Sequence, residues 1–270
     1  MEQTTEERRA HVDADATRGQ GDGNGDETIQ RPVEPDLRDS IQTMRACASF
    51  ADMLSGLLFR PLTQEQIDSL ATRGLSDFMG LNDDFDKGIN DISRFLRRRN
   101  TGTRQQLACD YTSAFIGTKT YEGKSAVPYE SVFTSEDGLL CQRSFHEVLA
   151  TYRREGFEKD DGLNIPEDHL SYMLEFVSIM ILRAIDEIKA GDQRGIDDAR
   201  RDLAAVREFV HEHILSWYGE FQERANLLLG TRFYRGVLSM GKGFLEFLCG
   251  ELDARIRQLD IAREQTRERV

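Results

Sequence analysis

The chain is poor in the residue patterns on which metal, phosphate and covalent chemistry are usually built. Its four cysteines, Cys47, Cys109, Cys141 and Cys249, stand far apart, and none forms a Cys-x-x-Cys pair. Zinc knuckles and iron–sulfur sites of ordinary spacing are thereby excluded. No Gly-x-x-x-x-Gly-Lys-Ser/Thr, Gly-x-Gly-x-x-Gly or Gly-x-Ser-x-Gly segment occurs, so neither a phosphate cradle nor a nucleophile elbow has support. Long apolar runs are missing too: the nearest, Leu170–Leu182, is short and contains Glu175, well below the roughly 18 residues that a membrane span requires. Arg8-Arg9 is followed by acidic residues and glycines rather than an apolar segment. A chain of this kind with scattered thiols is expected to reside in a reducing cytoplasm.

What is present is carboxylate and arginine. The 48 acidic residues outnumber the 35 basic ones, for a formal charge of −13. Such a surface repels nucleic acid and anionic lipid and favours a basic partner. It equally fits a surface acidified for solubility or high salt, and the six lysines among 35 basic residues suit that reading. Hydrophobic residues make up 39% of the chain, enough for one substantial core.

Residues 1–36, rich in Gly, Asp, Glu and Thr, are expected to form a disordered tail, because almost nothing there offsets the entropy of ordering. An all-helical domain is expected over 37–262, and a charged C-terminal end over 263–270. Leu37, Ile41, Met44, Ala48, Ala51, Leu54 and Leu58 recur at helical spacing up to Pro61. Thr63-x-x-Gln66 predicts a capping box, and Asn82 an N-cap for a third helix. A fourth helix over 103–116 ends at Gly117, and a long loop follows over 117–134, interrupted by Gly117, Gly123 and Pro128. A helix starting at Pro166 is apolar nearly all round and is expected at the centre of the bundle. Further helices are predicted at about 195–213, 214–229 and 232–262, the last projecting its charged end into water. The glycines of "GVLSMGKG" (236–243) suggest close helix packing. With no convincing strand or hairpin, the fold class is all-α: a single bundle of about nine to eleven helices around a buried central one.

Two constellations bear on chemistry. Pro166, Glu167 and Asp168 suit a helix N-terminus, where proline loses no hydrogen bond and carboxylates meet the positive dipole end. His169 lies about 100° from Asp168 round such a helix, so the two make no ready acid–base dyad. Glu208-x-x-His211 sets a carboxylate and an imidazole on one helical face, but di-iron bundles need that element twice and it occurs once. A helical metalloprotein or enzyme using Glu208/His211 or Asp168/His169 is therefore the alternative reading, and no cofactor is expected.

The remaining segments, Tyr111-x-x-Ala114-Phe115-x-Gly117, Pro128-x-Glu130-Ser131-Val132-Phe133, Pro166-x-Asp168-His169-Leu170 and His213-x-x-x-Trp217-x-x-x-Phe221 with Phe233-Tyr234, resemble in order those of the TorD/DmsD family of cytoplasmic chaperones that mature molybdenum-containing redox enzymes. Tyr111-x-x-Ala114-Phe115-x-Gly117 is similar to the family's Tyr-x-x-Leu-Phe-x-Gly segment. Pro128-x-Glu130-Ser131-Val132-Phe133 resembles its Pro-x-Glu-Ser-Val-Tyr loop, and Pro166-x-Asp168-His169-Leu170 its Pro-x-Asp-His motif. His213-x-x-x-Trp217-x-x-x-Phe221 and Phe233-Tyr234 resemble the closing helices. The resemblance implies a non-enzymatic chaperone that binds the twin-arginine leader and body of a molybdopterin oxidoreductase before export. It also implies a peptide-binding region drawn from Tyr111, Phe115, Gly117, Pro128, Tyr129, Glu130, Ser131, Phe133, Asp168, His169 and Tyr172. A cationic, apolar leader calls for carboxylates beside an apolar wall. Glu130 and Asp168 are expected to supply the charge, with Asp168 and His169 exposed at the helix mouth; Tyr111, Tyr129, Phe133 and Tyr172 are expected to supply the wall. The loop over 117–134 offers a hinge by which a monomer would swap helices into a homodimer.

Overall fold

The computed structural model describes residues 35–159 and 164–267. The tail expected over 1–36 falls almost entirely outside them. The chain runs α1 (Pro35–Phe59), α2 (Gln64–Thr72), α3 (Asp83–Leu96), α4 (Thr103–Ala114), α5 (Glu130–Thr134), α6 (Arg143–Arg154), α7 (Leu170–Ala190), α8 (Gln193–Phe209), α9 (Ser216–Leu228) and α10 (Arg232–Arg267). A short 3-10 turn (Leu75–Phe78) follows α2, and a π-helical turn (Val210–Leu215) joins α8 to α9. The fold is an all-α bundle. The described residues also hold two isolated β-bridges, Tyr121 with Lys124 and Tyr129 with His169. The first closes a tight turn in which Glu122 and Gly123 both take positive φ, at 51° and 76°.

Local chemistry sets the ends of these helices. Thr63 Oγ1 accepts from the Gln66 amide at 3.2 Å and Gln66 Oε1 accepts from the Thr63 amide at 2.9 Å, which completes the capping box. The Asn82 side chain accepts from the Phe85 amide at 3.0 Å and opens α3. Gly191, at φ 74°, closes α7 in the left-handed region that glycine enters without penalty.

Helix α7 is the axis. Met173, Leu174, Val177, Met180, Ile181, Ala184 and Ile185 are all fully buried, with α1 on one side and α8 on the other. At about 1.5–3 kcal/mol for each large aliphatic removed from water, this helix supplies a large share of the driving force. A second layer forms where α10 lies on α3, and there the backbones nearly touch. A Cβ placed on Gly88 would sit 2.5 Å from the Gly236 carbonyl oxygen, one on Gly236 would sit 2.8 Å from the Gly88 carbonyl oxygen, and one on Gly243 would sit 2.5 Å from the Phe85 amide nitrogen. The glycines of 236–243 thus act as the close-packing seam expected of them.

The far part of α10 is tied down as far as Arg263, while Ile261 and Glu264 are exposed to water and residues 268–270 lie outside the described ones. Leu259 is buried, and Arg207 pairs with Asp253 at 3.0 Å, while Arg200–Asp260 and Arg263–Asp197 close further ion pairs onto α8. Each such half-exposed pair contributes about 0–1 kcal/mol, so Leu259 and its apolar neighbours fix the contact and the pairs set its register.

At Gly88, helix propensity and packing pull in opposite directions. Alanine in a helix interior gains about 1 kcal/mol over glycine, whereas overpacking against backbone costs about 1–3 kcal/mol. Urea unfolding of Gly88→Ala is therefore expected to show a net loss of stability; a gain would mean that the α3–α10 seam is looser than described.

Candidate functional site

Two segments far apart in sequence meet at the N-terminal end of α7. The Leu170 amide donates to the Pro128 carbonyl at 2.8 Å, and the Glu130 amide donates to the Asp168 carbonyl at 3.1 Å. The Ser131 amide donates to Asp168 Oδ2 at 2.9 Å. The stretch over 128–131 is thereby tied to 168–170 by two main-chain bonds and one carboxylate bond. Proline explains part of this: Pro128 holds Val127 away from helical conformation and presents only a carbonyl, which Leu170 uses.

The helix start differs from its sequence reading. Pro166 is not its first residue. Pro166–His169 forms a turn closed by His169 N–H to Pro166 O at 3.2 Å, and His169 is the N-cap, its Nδ1 accepting from the Ser171 amide at 3.2 Å. Lys159 holds the turn from outside, donating to the Ile165 carbonyl at 2.6 Å and pairing with Glu167 at 3.1 Å. Capping by Nδ1 requires a neutral ring with its proton on Nε2. Burial agrees, lowering the His169 pKa to about 3. The ring lies edge-on to Tyr129 at 4.8 Å and to Tyr172 at 6.2 Å.

The exposed pair expected at the helix mouth is in fact enclosed. Asp168 is 0% exposed, His169 4% and Glu130 3%. The reason is that all three satisfy main-chain or imidazole groups inside the junction, so their polar atoms turn inward. Burial raises the Asp168 carboxyl above its ordinary range, opposed by hydrogen bonds from Ser131. Burial also raises the Tyr129 phenol to about 12, helped by the nearby Asp168 charge.

Glu130 leads to a third element. Both its carboxylate oxygens lie 3.1 Å from His213 Nδ1, on the π-helical turn that joins α8 to α9. The Glu130 carboxyl is pushed up by burial and pulled back by His213. Burial lowers the His213 imidazole, but the hydrogen bond and charge of Glu130 outweigh it and hold the ring above its usual value. The pair therefore retains a proton that an isolated histidine would release.

The other predicted residues fall into two groups. Tyr111 and Phe115 are core: the Tyr111 hydroxyl donates to the Leu58 carbonyl at 3.0 Å, and Phe115 packs edge-on to Tyr111 at 5.4 Å and to Tyr234 at 5.4 Å. Tyr111, expected in the wall, is thus enclosed and presents no ring at the surface, and Phe115 is enclosed with it. Gly117 takes φ 80°, and a Cβ there would meet Val127 Cγ1 at 2.9 Å, so it turns the chain closely under the loop. Pro128 and Ser131 are buried in the junction. Tyr129, Phe133 and Tyr172 remain half-open. Phe133 stacks on Trp217 at 5.2 Å and carries the Arg224 guanidinium 4.5 Å from its ring centre. The hollow nearest the junction, about 500 Å³, is reached through His213 and is edged by Arg143, Glu147, Arg154 and Glu212, so it is charged rather than aromatic.

Sequence reasoning missed the role of two groups. His213 was read as one step of the His213, Trp217, Phe221 stripe, but the wider π turn redirects its ring to Glu130, and no spacing rule reveals a π turn in advance. Asp110 caps α10 from α4, accepting from the Gly230 amide at 2.8 Å and the Thr231 amide at 2.7 Å. The Glu208/His211 pair finds no support as a metal centre: among the described residues no group of three or more His, Cys, Asp or Glu could hold an ion. None of the described helices is long and apolar enough to cross a membrane.

Comparison with known proteins places these segments in context. The family described as nitrate reductase delta subunit matches residues 80–223. The chaperone protein TorD of Vibrio vulnificus strain YJ016 is 28% identical over 194 residues, covering 69% of this chain and 85% of that protein. TorD of Vibrio cholerae serotype O1 strain ATCC 39315 is 27% identical over 200 residues, covering 72% and 86%, and TorD of Vibrio atlanticus strain LGP32 is 24% identical over 208 residues, covering 73% and 92%.

The two junction histidines carry opposite expectations. His169, depressed in the folded state, stabilises the fold fully above pH ~6.5 and loses that contribution as pH falls toward 3. His213, raised, contributes fully below pH ~6.5 and loses its contribution as pH rises through its folded value. Nitrogen-detected NMR of the imidazoles is expected to show His169 neutral and protonated on Nε2 from pH 8 to about 4, and His213 titrating above 6.5. A His169 that titrates normally would contradict the capping role.

Proposed function

The chain belongs to the nitrate reductase delta subunit family, that of the TorD chaperones, and on this premise we propose that it binds an oxidoreductase precursor before that enzyme is complete. In this reading the client is a molybdopterin-containing oxidoreductase, held by its twin-arginine leader and by its unfinished body in the cytoplasm until the cofactor is inserted. The chain acts by binding and not by catalysis.

The observation that carries the reading is that the family match over 80–223 contains both halves of the junction, 128–131 and 168–170, together with His213. Sequence elements that are paired by hydrogen bonds in the fold are thus elements of the matched region, which supports a shared architecture rather than a chance likeness of one helix. Charge supports it as well. A formal charge of −13 favours a cationic leader over nucleic acid or anionic lipid, and raises the encounter rate at low salt. Within this architecture Asp168, His169 and Glu130 are positioning residues: they fix the loop that carries Tyr129 and Phe133 beside the start of α7.

Affinity capture from native lysate of the source cells tests this directly. The expected result is a co-purifying oxidoreductase precursor with its leader attached and substoichiometric molybdenum, lost when the precursor lacks its leader. Recovery of only mature, cofactor-loaded enzyme, or of no oxidoreductase, would overturn the reading.

A further inference from the structure

Helix α7 is buried almost everywhere, yet one strip of it is open. Between Leu170 and Leu182 the only side chains not buried are Tyr172, Glu175, Ile179 and Leu182, which recur at three- and four-residue steps and so form one line along the helix. Three of the four are apolar. An apolar strip on the most enclosed helix of a bundle marks a face that the bundle itself leaves uncovered.

Glu175, Ile179 and Leu182 of that strip floor a groove of about 700 Å³ between α1, α2 and α7. Half-buried Met53 continues the aliphatic surface on the α1 side, backed by the buried Leu57 and Leu62. The rim is acidic: Asp52 on α1 and Glu65 on α2 are both exposed, Glu175 rises from the strip, and Arg73 is the single cation among the lining residues. Asp52 and Glu65 show no hydrogen-bond or ion-pair partner among the described residues, so their charges are not already neutralised. The volume lies within the ~300–1,000 Å³ of ordinary ligand clefts.

We propose that this groove docks a peptide segment in which arginine or lysine adjoins aliphatic side chains. The cations meet Asp52, Glu65 and Glu175, and the aliphatic part lies on Ile179, Leu182 and Met53. The proposal rests on the reading that the chain holds a client's leader, and it assigns that contact to a surface beside the junction instead of to the buried Asp168 and His169. Charge decides against two other occupants. The chain's own residues 1–34 hold more carboxylates than arginines, and a second copy would set one acidic surface on another. Three other hollows fit less well: that at His213 has a charged floor, and those edged by Arg94, Arg98 and Arg232 and by Arg73, Arg97 and Arg99 repel a cation.

The test uses a fluorescein-labelled dodecapeptide, two arginines followed by alternating leucine and alanine, titrated with the full-length chain by anisotropy. The double variant Asp52→Lys/Glu65→Lys is expected to weaken binding at least tenfold at low salt, and Leu182→Glu at least threefold. Glu147→Lys/Glu212→Lys, which makes the same charge change at the other hollow, is expected to change it less than threefold. No binding by the wild-type chain, undiminished binding by both groove variants, or an equal loss in the control would each overturn the proposal. Light scattering adds a further arm: a dimer that Leu182→Glu dissociates would assign the groove to a second copy and overturn it as well. Capture of the precursor by the same variants separates the two readings. A groove variant that still captures it sinks only the docking site, whereas a wild-type chain that captures none sinks the function.

Discussion

A single buried carboxylate organises the junction between the mid-chain loop and the start of α7. Asp168 is wholly enclosed, and it accepts the Ser131 amide while its own carbonyl accepts the Glu130 amide. A hydrogen bond to a charged group contributes about 1.5–3 kcal/mol, and removing the acceptor would strand a buried amide at comparable cost. The stretch over 128–131 depends on such tertiary ties, because α5 is only five residues long and cannot be stable alone. From this tie the rest follows. Glu130 is set against His213, Phe133 is set on Trp217, and His169 is left free to cap α7 with a neutral ring.

The arrangement separates the residues that carry the family likeness from the surface that is able to touch a partner. Asp168, His169 and Glu130 are spent on internal bonds, and Tyr111 and Phe115 on core packing. The chemistry that suits a cationic, apolar peptide lies further along α7, where Glu175, Ile179 and Leu182 meet the rim formed by Asp52 and Glu65. One helix therefore serves both purposes: its start is clamped to the loop, and its open strip faces outward. Rigidity at the clamp would keep that strip straight and preformed, which lowers the entropic cost of binding.

Much of the fold was legible because it is written in local rules. Thr63 with Gln66 and Asn82 with Phe85 are short-range bonds, and the apolar run from Leu170 announces a buried helix by composition alone. The glycines at 236 and 243 could be read as a packing seam, although their partners Gly88 and Phe85 could not. What escaped was long-range or irregular. Pro166 resembles a first helical residue, but the pull of Pro128 and Glu130 on Leu170 and Asp168 delays the helix to His169. Carboxylates and a histidine in a polar-looking motif suggest exposure, and only the fold reveals that Asp168 faces an amide brought from 37 residues away and Glu130 an imidazole from 83 away. Asp253, Asp260 and Arg263 of α10 read as solvated until α8 supplies Arg207, Arg200 and Asp197 as partners. Charge thus indicates a class of partner from composition, while its placement needs the tertiary structure.

The clamp is tested most directly by amide hydrogen exchange, read residue by residue in the wild-type chain and in Asp168→Ala. If the carboxylate organises the junction, protection at Glu130, Ser131 and Leu170 falls together by roughly 10- to 100-fold, as expected for the loss of one charged hydrogen bond, while α3 and α10 keep theirs. Unchanged protection at Ser131 and Leu170 in the variant would contradict the account.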